Sequence, residues 1–437
     1  MLYGEAALVD GDYWLSILGG GDNTGYITRT MAIDSANNVY VGGYNLSDPV
    51  NGPNLLLIKR DPLGAVIWQR VLTGAEDDVG FAVVVDLADN VYISGYTLSG
   101  GAGSLDFIVV KYDPSGDVIW QKFLGGPSVD IGYSLAVDSA NNLIVAGQGF
   151  TGLGNYDYSV SKLDSSGNQI WQAVIGGTEA DTVRGVAVDS EDSIYVFGYS
   201  ASEPAQNANM LLVKYNSAGD IQWGRLLGGY NFEQGNAIAI DASDDIFIVG
   251  GSASTGVGGY DMITAKLDKS GSIYWQKALG GAANDMGQSI AIDSLGNVYV
   301  CGWTQSQGTG SVTMIIARYD TLSNLIWQRV LYGVGTEYSY KIAIDSNDDI
   351  VIAGSTTSVT LDATESIAIK LPNDGSLTGQ IQINGATFTY EAGELTPSVS
   401  GLTFELSTLT LGTPAFTSSD SNLVSSSTAI PATVVLI

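Results

Sequence analysis

The sequence contains no histidine and a single cysteine, and each shortage removes a class of chemistry. Without imidazole there is no Ser-His-Asp or Cys-His nucleophile and no HExxH zinc site. One thiol cannot form an internal disulfide. Basic residues are also scarce: 17 Lys and Arg stand against 46 Asp and Glu, a formal charge of −29. Phosphate backbones and anionic membrane surfaces are repelled by such a chain, so no nucleic-acid partner is expected. No run of about 18 apolar residues occurs, so no membrane insertion is expected either. The opening MLYGEAALVDGD lacks a basic n-region and an apolar h-region, which predicts synthesis in the cytoplasm without a Sec signal. Proline is sparse at 10 residues, whereas Gly at 56 and Tyr at 23 are abundant, a balance that suits compact β-structure with many tight turns.

What is present is a repeat. A segment of the type AIDSANN places its Asp at 34, 86, 138, 189, 241, 293 and 345, about every 52 residues. A Trp recurs seven times as well, at 14, 68, 120, 171, 223, 275 and 327. Each unit reads as four strands. Strand A is the apolar run before the anchor Asp, and strand B ends on a recurring glycine: Gly43, Gly95, Gly147, Gly198, Gly250, Gly302 or Gly354. Strand C carries a basic residue, and a D-x-x-G turn leads into strand D with its Trp. Strand A is apolar at consecutive positions such as Ile290, Ala291 and Ile292, which predicts burial on both faces.

A four-stranded antiparallel sheet repeated in this way is the blade of a β-propeller. The fold class is therefore all-β, with seven blades. The seventh unit reaches LPNDGSLTG without a Trp, so its strand D is missing, and YWLSILGG at residues 13–20 has no unit of its own. The N-terminal strand is predicted to complete the last blade and close the ring, leaving few free edges. Residues 1–379 form the propeller and 380–437 a β-rich C-terminal extension. Cys301 aligns with Gly42, Ser94, Ala146, Phe197, Val249 and Ala353 of the other units and reads as a core residue.

The AIDS-x-x-N-x-YV-x-G core and the K-x-D-x-x-G-x-x-x-WQ-x-x-LGG ending resemble the SBBP (seven-bladed β-propeller) repeat family, over about residues 13 to 379. The resemblance implies the fold and, for function, an interaction scaffold of the kind found in cell-surface, secreted and viral proteins.

Three sets of residues recur. Lys59, Lys111, Lys162, Lys214, Lys266, Arg318 and Lys370 on strand C are expected to pair with the anchor carboxylates Asp34 to Asp345. On the opposite face, eight residues before each anchor, stand Asp78, Asp130, Asp181, Glu233, Asp285 and Glu337, with Tyr26 in the first unit. Loops spread around a ring do not converge on one cation, so these read as a structural acidic ring accepting loop N–H groups, and no metal or cofactor is assigned. Tyr44, Tyr96, Tyr199 and Trp303 follow the strand B glycine, where other units carry Gln148, Gly251 and Ser355. Their rings pack between blades or border the B–C loops as a binding platform suited to sugars. Asn45-Leu46-Ser47 matches a glycosylation sequon.

No acidic pair departs from the repeat, so no catalytic residue is assigned and the chain reads as non-enzymatic. The tail is rich in Ser and Thr, and ATFTYEA, LTFELSTLTL and ATVVLI read as strands packing on the propeller or on another chain. The leading expectation is a structural and binding protein whose propeller is displayed in a larger homo-oligomeric assembly, with other subunits held through the tail. A virion component such as a phage tail or capsid-attached protein, or an extracellular surface assembly, fits that reading. The alternative is a free or cell-surface glycan-binding protein.

Overall fold

Seven antiparallel sheets stand around a common axis as the blades of a propeller. The computed structural model describes residues 13–18, 25–48, 52–101, 104–150, 156–177, 179–202, 208–256, 258–308, 312–359, 363–383 and 386–399, together with short strands at 6–7, 403–406, 410–412, 417–420 and 424–426. The last expected strand, ATVVLI, lies outside these residues, as do Gly19, Gly20 and the centres of several B–C loops.

Blade 2 shows the pattern: Asp78–Val85, Val91–Thr97, Asp106–Tyr112 and Val118–Gly125 pair in chain order as strands A to D. The A–B turn is closed by the anchor. Asp86 Oδ1 accepts the backbone N–H of Ala88 and Asn90, both at 2.9 Å, an Asx-type turn that fixes where strand A ends. The third residue after the anchor is left-handed in six units: Asn37, Asp89, Asn141, Asp192, Asp244 and Asp348. A short polar side chain tolerates that conformation, and here it also reaches the preceding blade, as when Ser139 donates its hydroxyl to Asp192 at 2.7 Å.

Strands B and C carry the core. The Tyr on strand B is fully buried in several blades, and its ring meets the strand D Trp edge-on, with centroids 5.8 Å apart for Tyr40 and Trp68 and for Tyr92 and Trp120. Such a pair adds about 0.5–1.5 kcal/mol to the burial itself. Strand A departs from its expected burial on both faces. Its last residues, Ala291 and Ile292 among them, are only half-buried, because strand A is innermost and borders the central channel.

Blade 7 closes the ring. Glu337–Ile344, Ile350–Thr356 and Glu365–Leu371 are completed by Trp14–Leu18 from the other end of the chain. Trp14 pairs with Lys370 as Trp68 pairs with Lys59 in blade 1. The contacts between blades are equally regular. Trp14 Nε1 donates to the Pro62 carbonyl of blade 1 at 3.1 Å, and Trp68 does the same to Pro114 of blade 2. Gly64, at φ +87°, lies against the Trp14 ring, and a Cβ there would stand 2.8 Å from it, so this turn requires glycine twice over.

The tail forms a belt. Ala386–Ala392 adds a fifth strand to blade 6, Thr396–Val399 to blade 5, Thr403–Leu406 to blade 4, Thr410–Gly412 to blade 3, Thr417–Asp420 to blade 2 and Val424–Ser426 to blade 1. It travels around the rim against the order of the blades. Thr389, Thr396, Thr403, Thr410, Thr417 and Val424 face Tyr332, Gly280, Gly228, Gly176, Gly125 and Thr73, so the tail advances one blade every seven residues. Seven extended residues reach at most about 25 Å, enough for a short strand and a step to the next edge. On blade 7 the fifth position is taken by Ala6–Ala7. Between placement on the propeller and on another chain, the described tail strands take the first.

Candidate functional site

The face that carries the A–B and C–D turns is structural. Each recurring cation meets its anchor carboxylate within the blade, from 2.7 Å for Lys370 and Asp345 to 3.6 Å for Arg318 and Asp293. Several of these cations also reach the next blade, as Lys162 Nζ donates to the Ser217 carbonyl at 3.2 Å. Burial pushes Asp138 up, but the bonds from Lys162 and Asn142 outweigh it and the carboxyl falls below its ordinary pKa.

The acidic ring lies at the start of strand A on the opposite face, and all six carboxylates are at most 1% exposed. They hold the D–A loops. Gly126, Gly177, Gly229, Gly281 and Gly333 donate their backbone N–H to Asp130, Asp181, Glu233, Asp285 and Glu337 at 2.8–3.0 Å. Hydroxyls complete the shell: Ser99 and Thr97 on Asp78, Ser202 on Asp181, and Thr304 and Ser306 on Asp285. Desolvation pushes Asp78 up to about 6 and Asp130 up to about 7, with the nearby Asp106 carboxylate adding to the second. Among the described residues no group of three or more Asp, Glu or Cys is placed to hold a metal ion.

Charged, amide and aromatic side chains gather in the central channel. In every blade the A–B register breaks once, and the skipped residues are Arg29, Phe81, Tyr133, Arg184, Asn236, Gln288 and Tyr340. A β-bulge leaves one residue unpaired and re-aims its side chain. All seven line a cavity of about 310 Å³ on the axis. Arg29 lies over the Tyr340 ring at 5.0 Å and Arg184 over Tyr133 at 4.7 Å. Lys341 also lines the cavity, and burial lowers its pKa. The bulge position stands five residues before each anchor, a spacing that would have located it, but its seven side chains share no chemistry that reads as a motif.

The aromatic set borders this channel. Tyr44, Tyr96, Tyr199 and Trp303 are each half-buried. Tyr96 stands 5.8 Å from Phe81, which is 5.3 Å from Tyr133. Burial pushes the Tyr96 hydroxyl up, with Asp77, Tyr44 and Tyr133 adding to the effect and Arg29 opposing it, which puts Tyr44 and Tyr96 in one neighbourhood. Trp303 reaches the channel through Tyr338 at 6.1 Å, which stacks on Tyr340 at 6.0 Å. Tyr199 contacts Phe232 at 5.6 Å, around the ring from Tyr96. The sequon is closed to modification in the folded chain, since Asn45 is 3% exposed.

Comparison with known proteins agrees with this architecture. Residues 170–204 and 275–308 match the SBBP family, described as a beta-propeller repeat. An uncharacterized WD repeat-containing protein of Acanthamoeba polyphaga mimivirus is 22% identical over 74% of this chain, which spans 30% of that protein. A regulatory protein of Caulobacter vibrioides, FlaEY, is 30% identical over 31% of this chain, which spans 16% of its length. Among solved structures, Sqt1 from Chaetomium thermophilum superposes with a TM-score of 0.45 at 11% identity, covering 80% of this chain and 97% of that one.

Proposed function

From a seven-bladed ring in which residues 170–204 and 275–308 match the SBBP beta-propeller repeat, we infer a non-enzymatic binding protein, whose ligand enters the central channel past Tyr44, Tyr96, Tyr199 and Trp303. One observation carries this reading. Seven units keep the same anchors, turns and strand pairing, yet at the single position released by the bulge they present Arg, Phe, Tyr, Arg, Asn, Gln and Tyr. A rigid frame with a varied lining is how a binding site is built. Binding is favoured over turnover because the buried carboxylates are engaged in holding loops and, among the described residues, none lines the channel. Rings beside amides suit a sugar, which offers C–H faces and hydroxyls together.

The test is saturation-transfer NMR of the full chain with a panel of mono- and disaccharides, repeated on Tyr96→Ala and Tyr133→Ala. Transfer to at least one sugar, lost in both variants, is the expected result. Absence of transfer across the panel would refute a glycan site.

A second reading, a subunit of a larger assembly such as a virion, is favoured by the outer rim. Ile67, Ile119, Ile170, Tyr274 and Ile326 occupy the same place on the strands D of blades 1, 2, 3, 5 and 6, with Gln222 at that place in blade 4, and are each at least 50% exposed. A recurring apolar ring of this kind suits packing of copies against one another. Native mass measurement of the chain and of an Ile119→Lys/Ile170→Lys variant decides it: a multimer that the variant dissolves supports assembly, and a monomer throughout rejects it.

A further inference from the structure

We propose that the channel selects an acidic sugar, a saccharide unit whose carboxylate is gripped by Arg29 and Arg184. The inference rests on the binding reading above and names its ligand class. It starts from charge. Acidic residues outnumber basic ones 46 to 17, yet among the described residues the cavity is lined by Arg29, Arg184 and Lys341 and by no carboxylate. The charged side chains of the channel wall are therefore opposite in sign to the net charge of the chain.

The strand C cations are committed to anchor carboxylates. Arg29 and Arg184 have no such partner among the described residues, and the Nε of each is buried without an acceptor. A buried donor left unmade is costly, and a charged one more so. Arg29 and Arg184 lie over the Tyr340 and Tyr133 rings, a cation–π contact that consumes no hydrogen-bond acceptor. A fixed planar fork matches a carboxylate through two parallel bonds. The two arginines belong to blades 1 and 4 of a seven-bladed ring, so they approach from different sides.

About 310 Å³ is at the small end of ligand cavities, which favours one or two sugar units over a long chain. Gln288 presents an amide to the same space, and the aromatic mouth receives the C–H face of a ring. A bare inorganic anion would use the arginines and leave the mouth unused.

Titration calorimetry on the full chain with galacturonate, galactose and inorganic phosphate tests this. Galacturonate is expected to bind at least about tenfold tighter than either galactose or phosphate, since each charge-assisted bond and each stacked face contributes independently. Arg29→Gln/Arg184→Gln should weaken galacturonate by about tenfold or more and galactose by clearly less. Arg184→Lys, which keeps the charge and loses the fork, should fall between. If the double variant does not fold, Arg184→Lys and Tyr96→Ala carry the test, the latter weakening galacturonate but not phosphate. Equal binding of galactose and galacturonate would overturn the acidic ligand while leaving the binding site intact. Phosphate matching galacturonate would overturn the sugar. No heat from any of the three, with no transfer in the sugar panel, would overturn both readings.

Discussion

Each blade brings about 52 residues to its place in the ring and fills its own strands B and C with buried side chains, whereas each belt segment brings seven residues and pairs at most a few of them. The two regions are held by different forces. Blades are specified by side chains: anchors, ion pairs and aromatic contacts that recur with the period. The belt, beyond blade 6, adds strands of three or four residues to an existing edge through backbone pairing. Where the belt begins, the two regimes overlap, since Phe388 is fully buried and Leu395 is 5% exposed. Edge addition needs no particular side chain, which is why a Ser- and Thr-rich segment can do it.

This contrast can be broken in order of size. Deleting residues 1–20 removes Trp14, Leu15, Ile17 and Leu18, all at most 3% exposed, and opens the ring. Loss of a cooperative melting transition in calorimetry is the expected outcome, because several buried side chains at about 2–5 kcal/mol each exceed the stability of most domains. Deleting 403–437, a longer stretch, should cost less. Blades 1 to 4 keep four strands each, the transition survives at a lower temperature, and light scattering shows self-association through the bared edges. A belt deletion as damaging as the N-terminal one would mean that the blades are not self-sufficient.

Between these extremes lie single side chains. Phe388→Ala should lower stability by about 3–5 kcal/mol in urea titration, and Asp138→Ala, which strands Lys162, by a similar amount. The smallest effect separates the two faces of the body by pH. Asp78 and Asp130 have pKa values raised in the fold, so the native state holds protons that the unfolded chain has released. Their contribution is full near pH 4 and is lost as pH rises through about 6 to 7. Asp138 is shifted the other way and loses its contribution as pH falls below the ordinary carboxylate range. The melting temperature should therefore peak on the acidic side of neutrality, and Asp130→Asn should flatten the decline between pH 5 and 8.

The propeller was legible because its determinants are side chains at fixed spacing: anchor Asp, strand B glycine and strand D Trp, with the displaced YWLSIL betraying the closure. The ion pairs were legible for the same reason. The belt was not, although its period is written in Ile381, Phe388 and Leu395 and in the threonines at 389, 396, 403, 410 and 417. A seven-residue spacing in short strands shows no sustained alternation, and backbone pairing leaves little trace in composition. The channel was half-legible. Tyr96 and Trp303 stood out as aromatic substitutions, but Arg29 and Arg184 lie at a position defined by a break in register, which strand patterning passes over.

Because the bulged residue takes no part in the ladder, exchanging it leaves the backbone pairing of strands A and B within its blade as it was. Randomising those seven sites together would give a collection of rings with one skeleton and many interiors, so affinity could be selected almost independently of folding.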